Sequence, residues 1–173
     1  EEDKLIHCNN KKNYLVSYDP LDGSSNIDVS ITVGTIFGIY EYNNDSYNIV
    51  CAGYGLYGSQ TQFVVAYNNN ISFYQLNDNK FELIKDNLKI PNKGKIVSMN
   101  LSYNKINLDK KYEELCNKLF DEDYTQRFVG SLVADAHRTL LKGGIFIYPA
   151  NNKSVNGKIR LLYEAIPFAY IFE

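Results

Sequence analysis

The sequence predicts an α/β fold, a layered α+β arrangement of sheets and helices, on three observations. In the first half of the chain, most apolar runs have strand length and end at turns rich in Asn and Gly. In the second half, segments with apolar residues at helical spacing alternate with short apolar runs. Between the halves, Ile90-Pro91-Asn92-Lys93-Gly94 has the composition of a linker.

The first half is predicted to consist of strands and one helix. Apolar or alternating runs predict strands at residues 14–16, 27–33, 35–42, 61–67, 71–76 and 81–88. The chain is expected to turn sharply at Pro20, and Gly34 is expected to join the second and third strands. Asn68-Asn69-Asn70 predicts the turn of a hairpin. The small residues Ala52 and Gly53 favour a closely packed helix over residues 49–57.

The second half is predicted to alternate strands with helices. The apolar runs at residues 95–99 and 145–148 predict buried strands. Residues 108–120 have the spacing of an amphipathic helix. The side chains expected to face inward from this helix are Leu115, Leu119 and Phe120.

A second helix is predicted to begin at Ser131, whose hydroxyl can cap it, and to end at Gly143. It carries Asp135, His137 and Arg138, which together could suggest catalysis. No nucleophile lies near them in the sequence, so the favoured interpretation is a hydrogen-bond network that supports the fold.

Composition excludes several classes of function. A formal net charge of −2 gives no electrostatic footprint for nucleic acid. No apolar run reaches membrane-spanning length, and no signal peptide is visible. Cys8, Cys51 and Cys116 form no C-x-x-C pair, so the odd count argues against a disulfide framework and is compatible with a reducing, cytoplasmic location.

The stretch Asp19-Pro20-Leu21-Asp22-Gly23-Ser24-Ser25-Asn26 combines two kinds of candidate functional residue. Its two carboxylates can face one point, where they repel unless a cation or a proton lies between them. Oxygen ligands without nearby His or Cys favour Mg²⁺ or Mn²⁺ over zinc. Gly23 and the small residues after it can aim backbone N–H groups at an anion. Taken alone, these residues are also typical of a plain surface turn.

Three stretches, in order, resemble signatures of the fructose-1,6-bisphosphatase family (class 1), within the lithium-sensitive, Mg-dependent sugar and inositol phosphatases. They are Asp-Pro-Leu-Asp-Gly-Ser-Ser-Asn-Ile-Asp at residues 19–28 with 33–40, then residues 127–149 and residues 157–164. The resemblance implies two mixed β-sheets with flanking helices, incomplete at both ends. It also implies an active site between one domain over residues 1–89 and another over residues 90–173. The isolated chain is expected to be inactive.

The resemblance implies hydrolysis of the 1-phosphate of D-fructose 1,6-bisphosphate in gluconeogenesis, through a metal-activated water and without a phosphoenzyme. It further implies Mg²⁺, or alternatively Mn²⁺, as cofactor and a cytoplasmic homotetramer with no nucleic-acid or membrane partner. Two alternatives stay open: a sedoheptulose-1,7-bisphosphatase, and a sugar-phosphate-binding protein that has lost catalysis.

The resemblance also implies roles for individual residues. The metal ligands it implies are Glu1, Asp19, the Leu21 carbonyl, Asp22 and Glu164. The catalytic residues are Glu2, which helps to activate the attacking water, and Asp22. The substrate-binding residues are Asp22, Gly23, Ser24, Ser25, Asn100, Tyr103, Arg127, Tyr148, Lys158 and Arg160. Arg127 is expected to reach into the active site of a neighbouring subunit.

Two departures from the family pattern predict altered properties. Phe128 stands where the family usually has Tyr, so one phenolic hydrogen bond to phosphate is lost and substrate binding is expected to weaken. Asn13 and Glu41 stand where AMP-regulated relatives carry basic residues, although Tyr14 is present. Inhibition by AMP is therefore expected to be weak or absent.

Overall fold

The strands form two sheets in the computed structural model, which describes residues 13–43, 45–100, 110–150, 154–155 and 157–173. The larger sheet has six strands in sequence order, and each pairs antiparallel with the next. They are β1 (Tyr14–Asp22), β2 (Val33–Asn43), β3 (Ser46–Tyr57), β4 (Thr61–Tyr67), β5 (Asn70–Asn77) and β6 (Lys80–Lys85). Such a meander needs only short connections, which the Asn-rich turns supply.

The hairpins of β4, β5 and β6 close through two-residue turns with positive φ. Asn68 and Asn69 have φ of 49° and 58°, and Asp78 and Asn79 have φ of 45° and 63°. Asn and Asp tolerate this left-handed conformation, which the twist of a hairpin favours. The hairpin predicted at Asn68 is confirmed.

The helix predicted over residues 49–57 is wrong, because β3 covers that segment. Every second residue belongs to the core, namely Ala52, Tyr54 and Leu56. On the opposite face, a Cβ at Gly53 would lie 2.5 Å from the Phe37 ring and 2.6 Å from the Val64 carbonyl. The small residues serve close packing, as predicted, but between strands.

Three further predictions at the start of the chain are wrong: the strand over residues 27–33, the junction of two strands at Gly34 and the sharp turn at Pro20. Residues 27–30 form an exposed turn, and β2 begins only at Val33 and contains Gly34. The chain does not turn sharply at Pro20, because β1 continues through it to Asp22 with a bulge between Asp19 and Asp22. Since β1 is an edge strand, Pro20 can lie in it without breaking a central ladder.

The smaller sheet has three short parallel strands with β7 in the centre. They are β7 (Ile96–Ser98), β8 (Thr125–Gln126) and β9 (Ile145–Phe146). Helix α1 (Lys110–Asp121) connects β7 to β8, and α2 (Leu132–Lys142) connects β8 to β9. Parallel strands need such crossover helices.

Helix α1 faces the smaller sheet through residues that differ in part from the predicted ones. Cys116 and Leu119 are buried against Val97 and Met99. The prediction that Leu115 and Phe120 face inward is wrong, since they are 41% and 38% exposed. They flank the buried stripe, whose centre is set by the i, i+3 pair at 116 and 119.

Helices α2 and α3 (Ile166–Phe172) join the two halves of the chain into one core. Val133 and Leu140 of α2 and Phe168 and Ile171 of α3 belong to a buried cluster centred on one face of the larger sheet. The sheet contributes Ile36, Ala52, Tyr54, Leu56, Val64, Ala66 and Phe73 to this cluster. The predicted α/β class is confirmed, with one antiparallel sheet, one parallel sheet and flanking helices, and the end of β1 lies against the start of α2.

No helix within the described ranges has both the length and the apolar character needed to cross a membrane.

Candidate active site

Three carboxylates from distant parts of the chain converge at the end of β1. One carboxylate oxygen from each of Asp19, Asp22 and Glu164 lies within 4.8 Å of the other two. Asp19 and Asp22 flank the bulge in β1, and Glu164 lies in a π-helical turn, Leu161–Ala165, that precedes α3. The structure therefore brings together three of the carboxylates that the sequence singles out.

Asp22 is held by the N-terminus of α2. Its Oδ2 accepts hydrogen bonds from the Val133 N–H at 2.8 Å and from the Ser131 hydroxyl at 3.4 Å. Burial raises the pKa of the Asp22 carboxyl, and the nearby charge of Asp19 adds to this, while the Val133 N–H opposes it. Ser131 occupies the N-cap position as predicted but makes no side-chain cap bond, because its hydroxyl donates to Asp22 instead.

Glu164 is buried and accepts two hydrogen bonds from Arg160. The Arg160 N–H donates to Oε2 at 2.8 Å, and the guanidinium donates to Oε1 at 3.2 Å. Burial is the main reason that the pKa of Glu164 rises to about 7. Arg160 opposes this rise, whereas Asp19 and Asp22 add to it. Arg160, a predicted substrate-binding residue, is thus hydrogen-bonded to the carboxylate of Glu164 in this structure.

The donor set fits a hard divalent cation. Two of the three clustered carboxylates, Asp22 and Glu164, have raised pKa values because burial and mutual repulsion disfavour their charged forms. A cation would relieve that repulsion, and an all-oxygen donor set suits Mg²⁺ or Mn²⁺. Leu21 lies beside the cluster and donates its N–H to Asp19 at 3.0 Å. The predicted residues Glu1 and Glu2 lie outside the described residues.

Gly23 starts a tight turn directly after Asp22. Its φ of 76° is left-handed, and a Cβ there would lie 2.7 Å from the Ser131 hydroxyl, so both backbone and space require glycine. Ser24–Asn26 then form one turn of 3-10 helix, and the Asn26 amide donates to the Gly130 carbonyl at 3.2 Å. The predicted phosphate-binding turn therefore lies against the start of α2, beside the carboxylates.

Three other predicted residues leave the smaller sheet at one edge. Asn100, Arg127 and Tyr148 follow β7, β8 and β9, which are parallel, so all three lie beyond the carboxyl ends of the strands. That edge is where open α/β sheets bind ligands. Sequence analysis missed this shared edge, although the alternation of strands and helices was a signal for it.

The remaining predicted site residues are placed as follows. Arg127 is exposed and donates through its guanidinium to the Gln126 carbonyl at 3.1 Å. Lys158 lies in the segment before the π-helical turn. Tyr103 lies outside the described residues.

The polar residues of α2 form the network that the sequence predicts. Asp135 accepts hydrogen bonds from the N–H groups of Val129 and Gly130 and pairs with Arg138 at 3.0 Å. His137 bonds through Nδ1 to the Tyr54 hydroxyl at 2.8 Å, and burial lowers its pKa to about 4. The contacts of Asp135 and Arg138 hold the loop that precedes α2, whereas the bond of His137 joins α2 to β3.

Comparison with known proteins identifies two matching family models. The model described as the fructose-1-6-bisphosphatase N-terminal domain matches residues 1–86, and the model for the C-terminal domain matches residues 90–173. The three clustered carboxylates come from both matched ranges.

Similar proteins cover nearly all of this chain. It is 48% identical over 168 residues to "Fructose-1,6-bisphosphatase class 1" of Sulfurihydrogenibium sp., which covers 91% of this chain and 52% of the relative. It is 44% identical over 193 residues to "Fructose-1,6-bisphosphatase 1" of Bos taurus, which covers 100% of this chain and 57% of the relative. The chain thus spans about half the length of these relatives.

A solved structure shares the fold. The apo crystal structure of Leishmania major fructose-1,6-bisphosphatase superposes with a TM-score of 0.85 at 37% sequence identity. The match covers 92% of this chain and 58% of that one.

Proposed function

This chain belongs to the fructose-1,6-bisphosphatase family, and on that premise we propose that it supplies catalytic machinery for hydrolysing D-fructose 1,6-bisphosphate. The products are fructose 6-phosphate and inorganic phosphate, released by cleavage of the 1-phosphate. The observation that carries the proposal is the convergence of Asp19, Asp22 and Glu164 beside the Gly23 turn. A metal centre next to a phosphate-binding turn is what phosphate monoester hydrolysis requires.

The metal ligands in this proposal are Asp19, Asp22 and Glu164, joined by Glu1 and the Leu21 carbonyl. Mg²⁺, or alternatively Mn²⁺, when bound there polarises the phosphoryl oxygens and lowers the pKa of a water molecule. The Val133 N–H keeps the Asp22 carboxylate aimed at the cluster, and the two bonds from Arg160 orient Glu164. Ligands fixed in this way need little rearrangement on metal binding.

Proton transfer and phosphate binding are assigned to neighbouring residues. Glu2 is assigned the role of accepting a proton from the attacking water, with Asp22 assisting. The backbone N–H groups of Gly23, Ser24 and Ser25 hold the departing phosphoryl group. No covalent phosphoenzyme is needed, because water attacks the phosphorus directly while the bond from phosphorus to the sugar O1 breaks, and O1 takes a proton from solvent as it leaves.

The sugar and the 6-phosphate are bound at the edge of the smaller sheet in this proposal. Asn100 and Tyr148 lie at that edge, and Lys158 and Arg160 add positive charge. Tyr103 completes this substrate-binding set. Binding energy gained remote from the reacting bond orients the bond and so speeds the reaction.

We also propose a homotetramer in the cytoplasm in which Arg127 binds substrate in the neighbouring subunit's site. The exposed position of Arg127 at the sheet edge supports this, since a guanidinium can bind one phosphate through two parallel hydrogen bonds. The division into domains at residues 1–89 and 90–173 is kept as part of the proposal, and the active site lies between them.

The experiment is phosphate release from fructose 1,6-bisphosphate by the full-length protein, with Mg²⁺ and then with excess EDTA. We expect turnover that EDTA abolishes and Mg²⁺ restores. The Asp19→Asn variant should lose about 100-fold in kcat, whereas Asp78→Asn, on the exposed turn between β5 and β6, should keep wild-type turnover. Faster hydrolysis of sedoheptulose 1,7-bisphosphate, or metal-independent turnover, would contradict the proposal.

A further inference from the structure

Two hydroxyl groups from the larger sheet converge on one carbonyl in the π-helical turn. The Ser17 hydroxyl of β1 donates to the Leu162 carbonyl at 2.7 Å, and the Tyr40 hydroxyl of β2 donates to the same oxygen at 2.5 Å. Tyr40 is buried. Two side chains therefore donate to a single main-chain acceptor next to the candidate metal site.

The Leu162 carbonyl needs these donors because the turn supplies none. The N–H groups of Ala165 and Ile166 donate five residues back, to the carbonyls of Arg160 and Leu161. In this register the next donor would be residue 167, which is a proline and has no N–H. The Leu162 carbonyl therefore has no main-chain donor in this register, and the two hydroxyls from the larger sheet supply its hydrogen bonds and stabilise the register.

The same turn carries a carboxylate of the candidate metal site. Glu164 lies two residues after Leu162, and its carboxylate meets those of Asp19 and Asp22. Ser17 lies two residues before Asp19 on the same face of β1, and Tyr40 pairs with Leu15 across β1 and β2. The strand that supplies two carboxylates thus also anchors the turn that supplies the third.

We propose that Ser17 and Tyr40 are positioning residues that hold Glu164 in the metal site. Their hydroxyls fix the π-helical register through the Leu162 carbonyl, and that register directs the Glu164 side chain toward β1. The effect of this positioning on turnover rests on the function proposed above. The effect on metal binding does not depend on turnover.

The test measures Mn²⁺ binding to the full-length protein in the absence of substrate. Free Mn²⁺ is detected by electron paramagnetic resonance. Loss of an outer-shell partner typically weakens metal affinity 10–100-fold. We expect Tyr40→Phe to raise the Mn²⁺ Kd about 10-fold, and Ser17→Ala combined with Tyr40→Phe to raise it further. The Mg²⁺ concentration for half-maximal activity should rise in parallel while KM for the bisphosphate stays near the wild-type value.

The matched control is Tyr170→Phe. The Tyr170 hydroxyl of α3 donates to the Val50 carbonyl of β3 at 3.1 Å, so it is another phenol that joins helix to sheet, away from the carboxylates. This variant should lose stability without any change in Mn²⁺ Kd.

Wild-type Mn²⁺ affinity in both Tyr40→Phe and the double variant would overturn the proposal, as would a wild-type protein that binds no Mn²⁺. If the wild-type protein binds Mn²⁺ but does not hydrolyse the bisphosphate, only the proposed function fails, and the ratio of Mn²⁺ Kd values still decides this inference.

Discussion

The backbone N–H of Val133 donates a 2.8 Å hydrogen bond to Oδ2 of Asp22, so a helix of the second half of the chain holds a carboxylate of the first. The positive end of a helix stabilises a nearby negative charge. Here that stabilisation acts on Asp22, whose pKa is raised by burial and lowered by the bond from Val133. The geometry of the candidate site therefore depends on how closely the turn after β1 approaches the start of α2.

That close approach predicts a large cost for Gly23→Ala. A left-handed φ costs a non-glycine residue about 1–2 kcal/mol. The new Cβ would also lie 2.7 Å from the Ser131 hydroxyl and 2.9 Å from its Cβ, and overpacking of this kind costs roughly 1–3 kcal/mol more. We expect the free energy of unfolding, measured by urea denaturation of the full-length protein, to fall by about 2–5 kcal/mol.

Gly157→Ala is the matched control, since Gly157 has a similar φ of 79° and no described residue comes within 4 Å of a Cβ at that position. It should lose only the cost of the backbone strain. An equal loss of unfolding free energy in the two variants would show that Ser131 can move aside at no cost. The turn after β1 and the start of α2 would then not be closely packed.

The fold was predictable where residues act locally. The Asn68 and Asn69 turn, the irregular segment around Pro91 and the end of the second helix at Gly143 follow from turn and C-cap chemistry, which needs only a few neighbouring residues. The segment at 49–57 was not predictable in this way. Its small residues suit close packing in a helix or a sheet, and only the pairing of β3 with β2 and β4 decides between them.

The candidate site was predictable as residue types and not as contacts. The pairing of Asp19 with Asp22 follows from their spacing, and Glu164 was assigned by resemblance alone. The two bonds that fix Asp22 come from Ser131 and Val133, more than a hundred residues along the chain. Nothing local in the sequence indicates a bond between such distant residues.

Burial of His137 predicts that stability falls in mild acid. Its pKa is lowered from 6.5 to about 4 by burial, so the unfolded chain binds a proton that the folded protein excludes. This contribution is complete above about pH 6.5 and is lost as the pH falls toward 4, by on the order of 3 kcal/mol. Urea denaturation between pH 7 and 4 measures it.

The variant that isolates this effect is His137→Asn, whose amide can still reach the Tyr54 hydroxyl. It should be less stable at pH 7, yet the part of the stability loss between pH 6.5 and 4 that comes from the imidazole should vanish. An unchanged pH dependence in His137→Asn would mean that other groups, and not this histidine, cause the acid sensitivity.

The exposed ring of Phe128 predicts that substrate binding can be improved. Phe128 lies next to Arg127 at the edge proposed to bind phosphate, and its ring has no hydroxyl to donate to a phosphate oxygen. A hydrogen bond of this kind is worth roughly 0.5–1.5 kcal/mol, so Phe128→Tyr should lower KM about 2- to 12-fold with kcat unchanged. Steady-state kinetics on the full-length protein would check this, with Phe120→Tyr on α1 as the control. An unchanged KM would show that no phosphate oxygen lies within reach of the new hydroxyl.

The contact between Tyr14 and Glu41 predicts that AMP inhibits this protein weakly or not at all. The Tyr14 hydroxyl donates to Glu41 Oε1 at 3.1 Å across β1 and β2, and this bond raises the pKa of the phenol. A nucleotide phosphate would meet the negative charge of Glu41 and a phenol already engaged with it. Inhibition of the full-length protein should therefore need millimolar AMP.

Glu41→Arg with Asn13→Lys should lower that concentration at least 10-fold, whereas Glu82→Arg on β6 should not. Micromolar inhibition of the wild-type protein would mean that AMP binds without these charges.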